Sequence, residues 1–180
     1  MTAARPKISN RQRRAVLVRR HLLAPSARAT SVEQVAEALV ALHATEPATV
    51  FLSVAARMTA ATPQAVEQAL YEDRSLVRML CMRRTVFVVP TALAPVVEAS
   101  TARTIAARER AALLKVLTGQ LGHDAPWLDA VEGDVLAALA GLGQADATRI
   151  AEAVPRLKEQ ITLSPGKPHE TRVRISNKVG

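Results

Sequence analysis

Aromatic side chains are scarce in this chain of 180 residues, which has only two Phe, one Tyr and one Trp. Hydrophobic residues nevertheless make up 49% of the sequence, so a buried core must be built mainly from Ala, Leu and Val. Such side chains suit closely packed helices better than a β-sandwich. The composition therefore predicts a mainly α-helical fold.

Several classes of protein and of site are excluded. The single cysteine, Cys81, cannot form an intramolecular disulfide or a cysteine-based zinc site. No apolar run approaches the roughly 20 residues that span a bilayer, and the basic N-terminus leads into no signal-peptide core. Neither a glycine-rich nucleotide loop nor a metal-ligand cluster occurs, and the histidines are scattered: His21, His43, His123 and His169. We expect a cytoplasmic protein that needs no membrane, metal or cofactor.

Positive charge is concentrated in blocks. The net charge is +8, and residues 1–30 contain eight Arg or Lys and no acid. A second basic block runs from Arg78 to Lys115, whereas the segments 31–75 and 121–155 are richer in acids. This alternation indicates basic faces on a balanced protein, and nucleic acid is the obvious partner. The alternative is that the organism uses arginine and alanine heavily throughout its proteins, so that the abundance of arginine here indicates no partner.

Capping patterns place the first helices. Ser9 and Gln12 form a capping box that predicts a helix to about Leu23. That helix would have a basic side and a buried side formed by Val16, Leu17 and Leu23. Ser31 starts a second helix in the same way. Thr62 followed by Pro63 predicts the start of a third.

The second helix leads into polar residues. Its apolar positions have helical spacing and predict a helix that reaches His43: Val35, Leu39 and Leu42. Pro47 disfavours helical geometry at Glu46, so we expect a break there. His43, Thr45 and Glu46 would then lie where two helices meet, facing a cavity.

The segment from Leu76 to Pro90 predicts a β-hairpin, because Leu, Val, Met, Thr and Phe dominate it and Arg83-Arg84 falls in its middle. Helices followed by such a hairpin are typical of a winged helix, whose wing touches DNA phosphates. The alternative is that the hairpin only covers an edge of the core. We predict a first winged-helix module over residues 1–120.

The remaining segments predict more helices. Residues 91–121 form a long helix, broken near Ser100, and residues 124–142 form another with a strong apolar stripe. A short helix capped by Asp146 or Thr148 follows. We expect residues 121–180 to begin a second winged-helix module that is incomplete. Residues 162–180 would be a disordered basic tail, or else the chain is a fragment.

Four stretches together resemble a known family. They are the N-terminal arginine helix and the phrases ALHATEPATVFLSVAAR, ALYEDRSLVRMLCMRRTVFVVP and IAEAVPRLKEQI. The chain resembles the winged-helix DNA-binding family that includes the bacterial alkylpurine DNA glycosylases acting on interstrand crosslinks. The resemblance implies a tandem winged-helix architecture, a nucleoid-associated location and double-stranded DNA as the partner. It also implies that this chain corresponds to the N-terminal half of such a protein.

The resemblance singles out the residues after Leu42. Glycosylase members carry Gln-x-Gln or Gln-x-Asp there, whereas this chain has His43-Ala44-Thr45. Those positions would place the water that attacks the sugar C1′ as a cationic alkylated base departs. His43 and Thr45 are therefore the candidate catalytic residues. The alternative is that His43 binds a carbonyl exposed at the break, so whether the chain is an enzyme stays open.

The hairpin also departs from the family pattern. Its Arg83-Arg84-Thr85 lacks the Gly that usually precedes Thr, and Phe87 stands where His is common. The candidate DNA-binding residues are Arg13, Arg14, Arg19, Arg20, Arg57, Arg83 and Arg84. Two other functions are a transcription regulator without enzymatic activity and a scaffold that binds acidic proteins. The sequence leaves the oligomeric state open.

Overall fold

The computed structural model describes residues 7–178, and most of them are helical. The α-helices are α1 (Asn10–Arg20), α2 (Val32–Leu39), α3 (Ala48–Ala55), α4 (Pro63–Glu67), α5 (Ala94–Val97), α6 (Arg103–Leu121), α7 (Ala125–Leu142) and α8 (Ala147–Ala153). A π-helical turn, Gln68–Glu72, extends α4, and a second, Glu98–Ala102, joins α5 to α6. The second turn lies where a break was predicted near Ser100, but the chain passes through it in helical geometry, so the helix is not broken there. The mainly helical prediction is confirmed.

The strands form two small antiparallel sheets. One contains β1 (Leu42–His43), β2 (Leu76–Leu80) and β3 (Val86–Pro90) in the order β1-β3-β2. The other pairs β4 (Gln160–Leu163) with β5 (Thr171–Arg174).

Contacts between residues divide the chain into two compact units, residues 1–105 and 106–180. The first contains the three-stranded sheet and the second contains the two-stranded one. The division falls earlier than the predicted module boundary at residue 120. Independent folding of residues 1–120 stays a prediction, since a compact unit and an independently folding unit are different properties.

Both faces of the three-stranded sheet are covered. Leu42 and Val88 lie side by side on neighbouring strands and are buried with Val35, Val54 and Val66 from the helices. Phe87 and Val89 point to the opposite face, because successive side chains of a strand alternate, and they are buried with Cys81. The first unit therefore has a helical core on one face of its sheet and a smaller cluster on the other.

The prediction that the second helix reaches His43 is wrong. The helix α2 ends at Leu39, and Val40 follows with a φ of 68°. Leu42 and His43 then form β1, paired with Val88 and Phe87 of β3. Leu42 lies at a helical spacing from Val35, but it also fits an alternating pattern with buried Ala44. Strand pairing satisfies the backbone groups there, so His43 lies on a strand and not at a junction of helices.

The predicted hairpin is confirmed, with its tip at Cys81–Thr85. Arg83 and Arg84 have φ values of 55° and 62°, in the left-handed region that non-glycine residues rarely adopt. The third strand, β1, was not predicted. It was missed because its two residues were assigned to the preceding helix.

The helix α1 begins with the predicted capping box, in which Ser9 and Gln12 bond each other's backbone N–H groups. The prediction that one side of α1 is buried is wrong. No residue of α1 is buried, and Val16, Leu17 and Val18 are 49%, 46% and 40% exposed. The prediction failed because apolar spacing indicates a buried face only where another element packs on it.

The second unit encloses a core of its own. Leu117 and Leu128 lie in α6 and α7, and they are buried with Leu157, Ile161 and Ile175. Asp146 caps α8, as one of the two predicted alternatives had it, and Asp124, predicted as the start of a helix, is the cap of α7. The alternative that residues 162–180 form a disordered tail is wrong for residues 162–178, which the structure describes. Paired β4 and β5 bury apolar side chains, and that burial offsets the entropy of ordering them.

We expect Ser75→Ala to raise the pKa of Glu33, which lies below its ordinary value. The main cause is the Ser75 hydroxyl, which donates to the carboxylate at 2.6 Å; burial opposes this effect, and the backbone of Glu33 and the hydroxyl of Ser31 add to it. A lowered pKa stabilises the fold above the pKa of the unfolded chain, and this stability is lost as the pH falls through the folded-state pKa. Solvent screening of this partly exposed group limits the loss to less than about 1 kcal/mol.

Urea unfolding near neutral pH and at about pH 3, below the ordinary pKa of Glu, measures this effect. The difference between Ser75→Ala and the parent chain should be present at neutral pH and shrink at low pH. Ser100→Ala is the control, since Ser100 is exposed and donates only to a carbonyl of its own helical turn. An equal difference at both pH values would contradict the account.

Candidate functional site

The segment His43-Ala44-Thr45 lies where the chain leaves the edge strand β1. Leu42 and Ala44 are buried, whereas the side chains of His43 and Thr45 are exposed. The alternation of the strand produces this pattern, because two anchoring residues point into the core and the residues after each of them point away. Two polar side chains are thereby presented to solvent from a backbone that the core holds.

The backbone hydrogen bonds between β1 and β3 end at this segment, and hydrogen bonds to side chains take their place. The N–H of Ala44 donates to the carbonyl of Val86 at 2.8 Å. The N–H of Val86 then donates to Thr45 Oγ1 at 3.3 Å. The carbonyl of Ala44 instead accepts from Arg78, whose Nε and Nη2 lie at 3.3 and 3.1 Å. Arg78 and Thr45 therefore fix the direction in which the chain leaves the sheet.

His43 contacts Thr45 and Phe87. Its Nε2 lies 3.4 Å from Thr45 Oγ1, and its ring meets the ring of Phe87 edge-on, with centroids 5.2 Å apart. Since Thr45 Oγ1 already accepts from Val86, its own hydrogen is available for His43 Nε2. The contact can be a hydrogen bond from the Thr45 hydroxyl in the tautomer that carries its hydrogen on Nδ1.

Thr49 makes the hydrogen bond that one alternative assigned to the His43 ring. Its hydroxyl lies 2.7 Å from the carbonyl oxygens of both His43 and Glu46. The carbonyl groups exposed beside Pro47 are thus bonded by Thr49, and not by the His43 ring. Sequence reasoning missed both Thr49 and Arg78. The only signal for Arg78 was a charged residue inside the apolar strand LVRML.

The structure brings together only some of the predicted residues. His43 and Thr45 lie side by side, and Arg83-Arg84 lies at the same end of the sheet, since Thr45 bonds Val86 at the start of β3. Arg83 and Arg84 are exposed. Four other predicted arginines are exposed on a separate helix, α1: Arg13, Arg14, Arg19 and Arg20.

Arg57 differs from the other candidates. It is partly buried, and its Nη1 donates to the carbonyl of Ser53 at 3.0 Å. Its Nε is buried without a hydrogen-bond partner among the described residues. These contacts hold the Arg57 side chain against α3, so the structure does not group it with His43 and Thr45.

We expect Arg78→Met to loosen the segment without unfolding the protein. The change removes both bonds to the carbonyl of Ala44, and losing such a bond typically costs about 0.5–1.5 kcal/mol. Urea unfolding measures this loss, and amide exchange should become faster at Ala44 and Val86. Arg149→Met is the matched control, because Arg149 is exposed on α8. Unchanged exchange at both amides would show that Arg78 does not hold the segment.

No metal centre is evident in the described part of the chain. Residues 7–178 contain no group of three or more His, Cys, Asp or Glu side chains placed to hold an ion. None of the described helices is both long enough and apolar enough to cross a membrane.

Comparison with known proteins identifies the family. The model of the family described as DNA glycosylase AlkZ-like matches residues 36–176. The chain belongs to this AlkZ-like family. The matched region includes the His43-Ala44-Thr45 segment, the hairpin of β2 and β3 and the second sheet, but it excludes α1. No curated protein matches the chain.

The fold of this AlkZ-like chain is similar to that of a solved structure. The DNA glycosylase AlkZ of Streptomyces sahachiroi aligns with 97% of this chain at a TM-score of 0.54, with 17% sequence identity. The alignment covers 52% of the AlkZ chain, so this chain spans about half of its length. At this identity the similarity shows the fold alone. The expectation that the second module is incomplete stays a prediction.

Proposed function

We propose that this chain binds double-stranded DNA and removes alkylated bases from it. The observation that carries the proposal is the exposed pair His43 and Thr45, in a segment held by Arg78 and Val86. The resemblance implies that this segment corresponds to the glycosylase motif. Membership of the AlkZ-like family supports the same function. A catalytic pair that meets DNA must be both accessible and fixed, and the edge of the sheet provides both conditions.

We further propose that residues 32–90 form a winged helix. The supporting feature is the element order, which runs α2, β1, α3, α4, β2 and β3 with the strands arranged β1-β3-β2. The hairpin of β2 and β3 would be the wing, with Arg83 and Arg84 at its tip. In the second unit, α8 followed by the hairpin of β4 and β5 supports a second module.

DNA contact is proposed for the exposed arginines, because cationic side chains neutralise phosphates irrespective of sequence. The proposed contacts are Arg13, Arg14, Arg19 and Arg20 on α1 and Arg83 and Arg84 on the hairpin. Arg57 stays a prediction from sequence, since its side chain is engaged with Ser53.

The proposed reaction is hydrolysis of the glycosidic bond of an N-alkylated purine. The bond between C1′ and the base nitrogen breaks, and its electron pair neutralises the cationic base. The oxygen of a water molecule bonds to C1′, and the water proton passes to the imidazole of His43. The hydroxyl of Thr45 orients the water. A cationic base leaves readily, so modest assistance from one histidine and one hydroxyl suffices.

A transcription regulator without catalysis is the second candidate. The replacement of Gln-x-Gln or Gln-x-Asp by His43-Ala44-Thr45 favours it. Footprinting on a library of unmodified duplexes separates the two functions. A glycosylase that recognises the lesion should protect no particular sequence, whereas a regulator should protect a defined site. A defined footprint without any base release would replace the first proposal by the second.

A further inference from the structure

A second polar feature of the first unit is a surface groove beside β2, with a volume of about 460 Å³. Its apolar lining includes Leu70, Leu76 and Val77, and its exposed residues include Tyr71, Arg74 and Arg78. Small-ligand sites usually occupy about 300–1,000 Å³ and combine an apolar lining with a few polar groups. This groove has the size and lining of such a site.

The charged residues of the groove are both cationic. The guanidinium of Arg74 forms no hydrogen bond or ion pair with the described residues, and Arg78 uses two of its five N–H donors on the carbonyl of Ala44. The acids of the adjoining turn, Glu72 and Asp73, do not line the groove, and Asp73 accepts from Gln68 at 2.8 Å. The groove therefore favours an anionic ligand.

The backbone around Arg74 is held in an uncommon conformation. Its φ is 51°, in the left-handed region, and its carbonyl accepts from the hydroxyl of Thr91 at 2.6 Å. The N–H of Thr91 also donates to the carbonyl of Ser75 at 2.9 Å. Strained positions that neighbouring groups hold in place are common at ligand clamps. Thr91 thus fixes the point from which the Arg74 side chain extends.

Tyr71 supplies an aromatic surface at the rim. Its side chain is 67% exposed, and it is the one tyrosine of the chain. Nucleobases stack on exposed aromatic rings irrespective of their identity, and arginines beside such rings bind the phosphates of the same strand. A ring and two cations around one groove fit a nucleotide better than a simple anion.

We propose that this groove binds one unpaired nucleotide of a DNA strand, with its base on Tyr71 and its phosphate at Arg74. Arg78 connects this groove to the proposed reaction site, because it lines the groove and holds the carbonyl between His43 and Thr45. The inference rests on the proposed function, since it adds a contact to a DNA substrate. It assigns a DNA contact to Tyr71, which the sequence analysis did not single out.

Fluorine NMR tests the groove directly. Because Tyr71 is the sole tyrosine, growth with 3-fluorotyrosine gives the chain a single fluorine resonance. Titration with a short single-stranded oligothymidylate should shift this resonance, with the midpoint measured by anisotropy of the labelled oligonucleotide. Inorganic phosphate should leave it in place. An unmoved resonance during oligonucleotide binding would overturn the proposal, and an equal shift with phosphate would show an anion site without stacking.

Variants give an independent test. Tyr71→Leu should weaken oligothymidylate binding about 5- to 150-fold, the range found for lost base stacking, whereas Tyr71→Phe should preserve it. Arg74→Gln should weaken binding, and Arg149→Gln on α8 is the matched control. Duplex binding on the same samples separates the two proposals. Failure with the oligonucleotide alone overturns the groove proposal, whereas failure with both ligands overturns the proposed function too.

Discussion

Affinity for duplex DNA should fall about 250- to 1,000-fold when monovalent salt rises from about 50 to about 200 mM. Six exposed arginines are proposed to meet phosphates, and if about five are neutralised, log K falls with log salt at a slope of about −4 to −5. The loss arises because bound counterions return to the DNA as the protein leaves. Fluorescence anisotropy over a series of salt concentrations measures the slope.

The hairpin tip should account for part of that slope. Arg83→Ala with Arg84→Ala should make the slope less steep by about 2, because each lost phosphate contact reduces it by about 1. At the positive φ of these two positions, alanine is strained to about the same degree as arginine. The backbone of the tip is therefore little affected. Arg149→Ala with Arg172→Ala removes equal charge from exposed positions of the second unit. A slope near zero, or equal changes in both double variants, would contradict the assignment.

Replacing His43 by alanine should lower base release by roughly 10²-fold or more, the usual scale for losing a positioned acid–base group. DNA affinity and the melting temperature should change little, because the side chain is exposed and its contacts with the described residues are a long hydrogen bond to Thr45 and a ring contact with Phe87. Single-turnover release of free base from an alkylated duplex measures the effect.

Two further results separate catalysis from structure. His169→Ala is the matched control, since His169 is exposed in the second unit. A purely structural His43 would instead show unchanged release per folded molecule and a loss of about 1–3 kcal/mol in unfolding free energy. The bond of Thr49 to the Glu46 carbonyl favours the catalytic outcome, because that carbonyl beside Pro47 already has a partner other than the His43 ring.

The fold was predictable where local signals agree with tertiary packing. Ser9, Ser31 and Thr62 cap helices as predicted, because capping depends on residues three positions apart. The hairpin from Leu76 to Pro90 followed from its β-forming composition. Prediction failed at His43, where helical and alternating patterns coincide over a few residues and only pairing with β3 decides between them.

The site was predictable only in part. The resemblance to the glycosylases selected His43 and Thr45, and the structure places the two side chains together. Arg78 lies more than thirty residues away in sequence from the Ala44 carbonyl that it binds, and no local pattern predicts such a contact. Tyr71 and Arg74 were missed for the same reason, since a groove is formed by packing and has no period in the sequence.

Base release by the unmutated chain is the most direct test of whether this protein is a glycosylase. A duplex with one N7-alkylated guanine is incubated with excess protein, and free base is separated from the DNA by chromatography. We expect release of the alkylated base by the unmutated chain and a strong reduction in the His43→Ala variant. Duplex binding without any release of the alkylated base would contradict it.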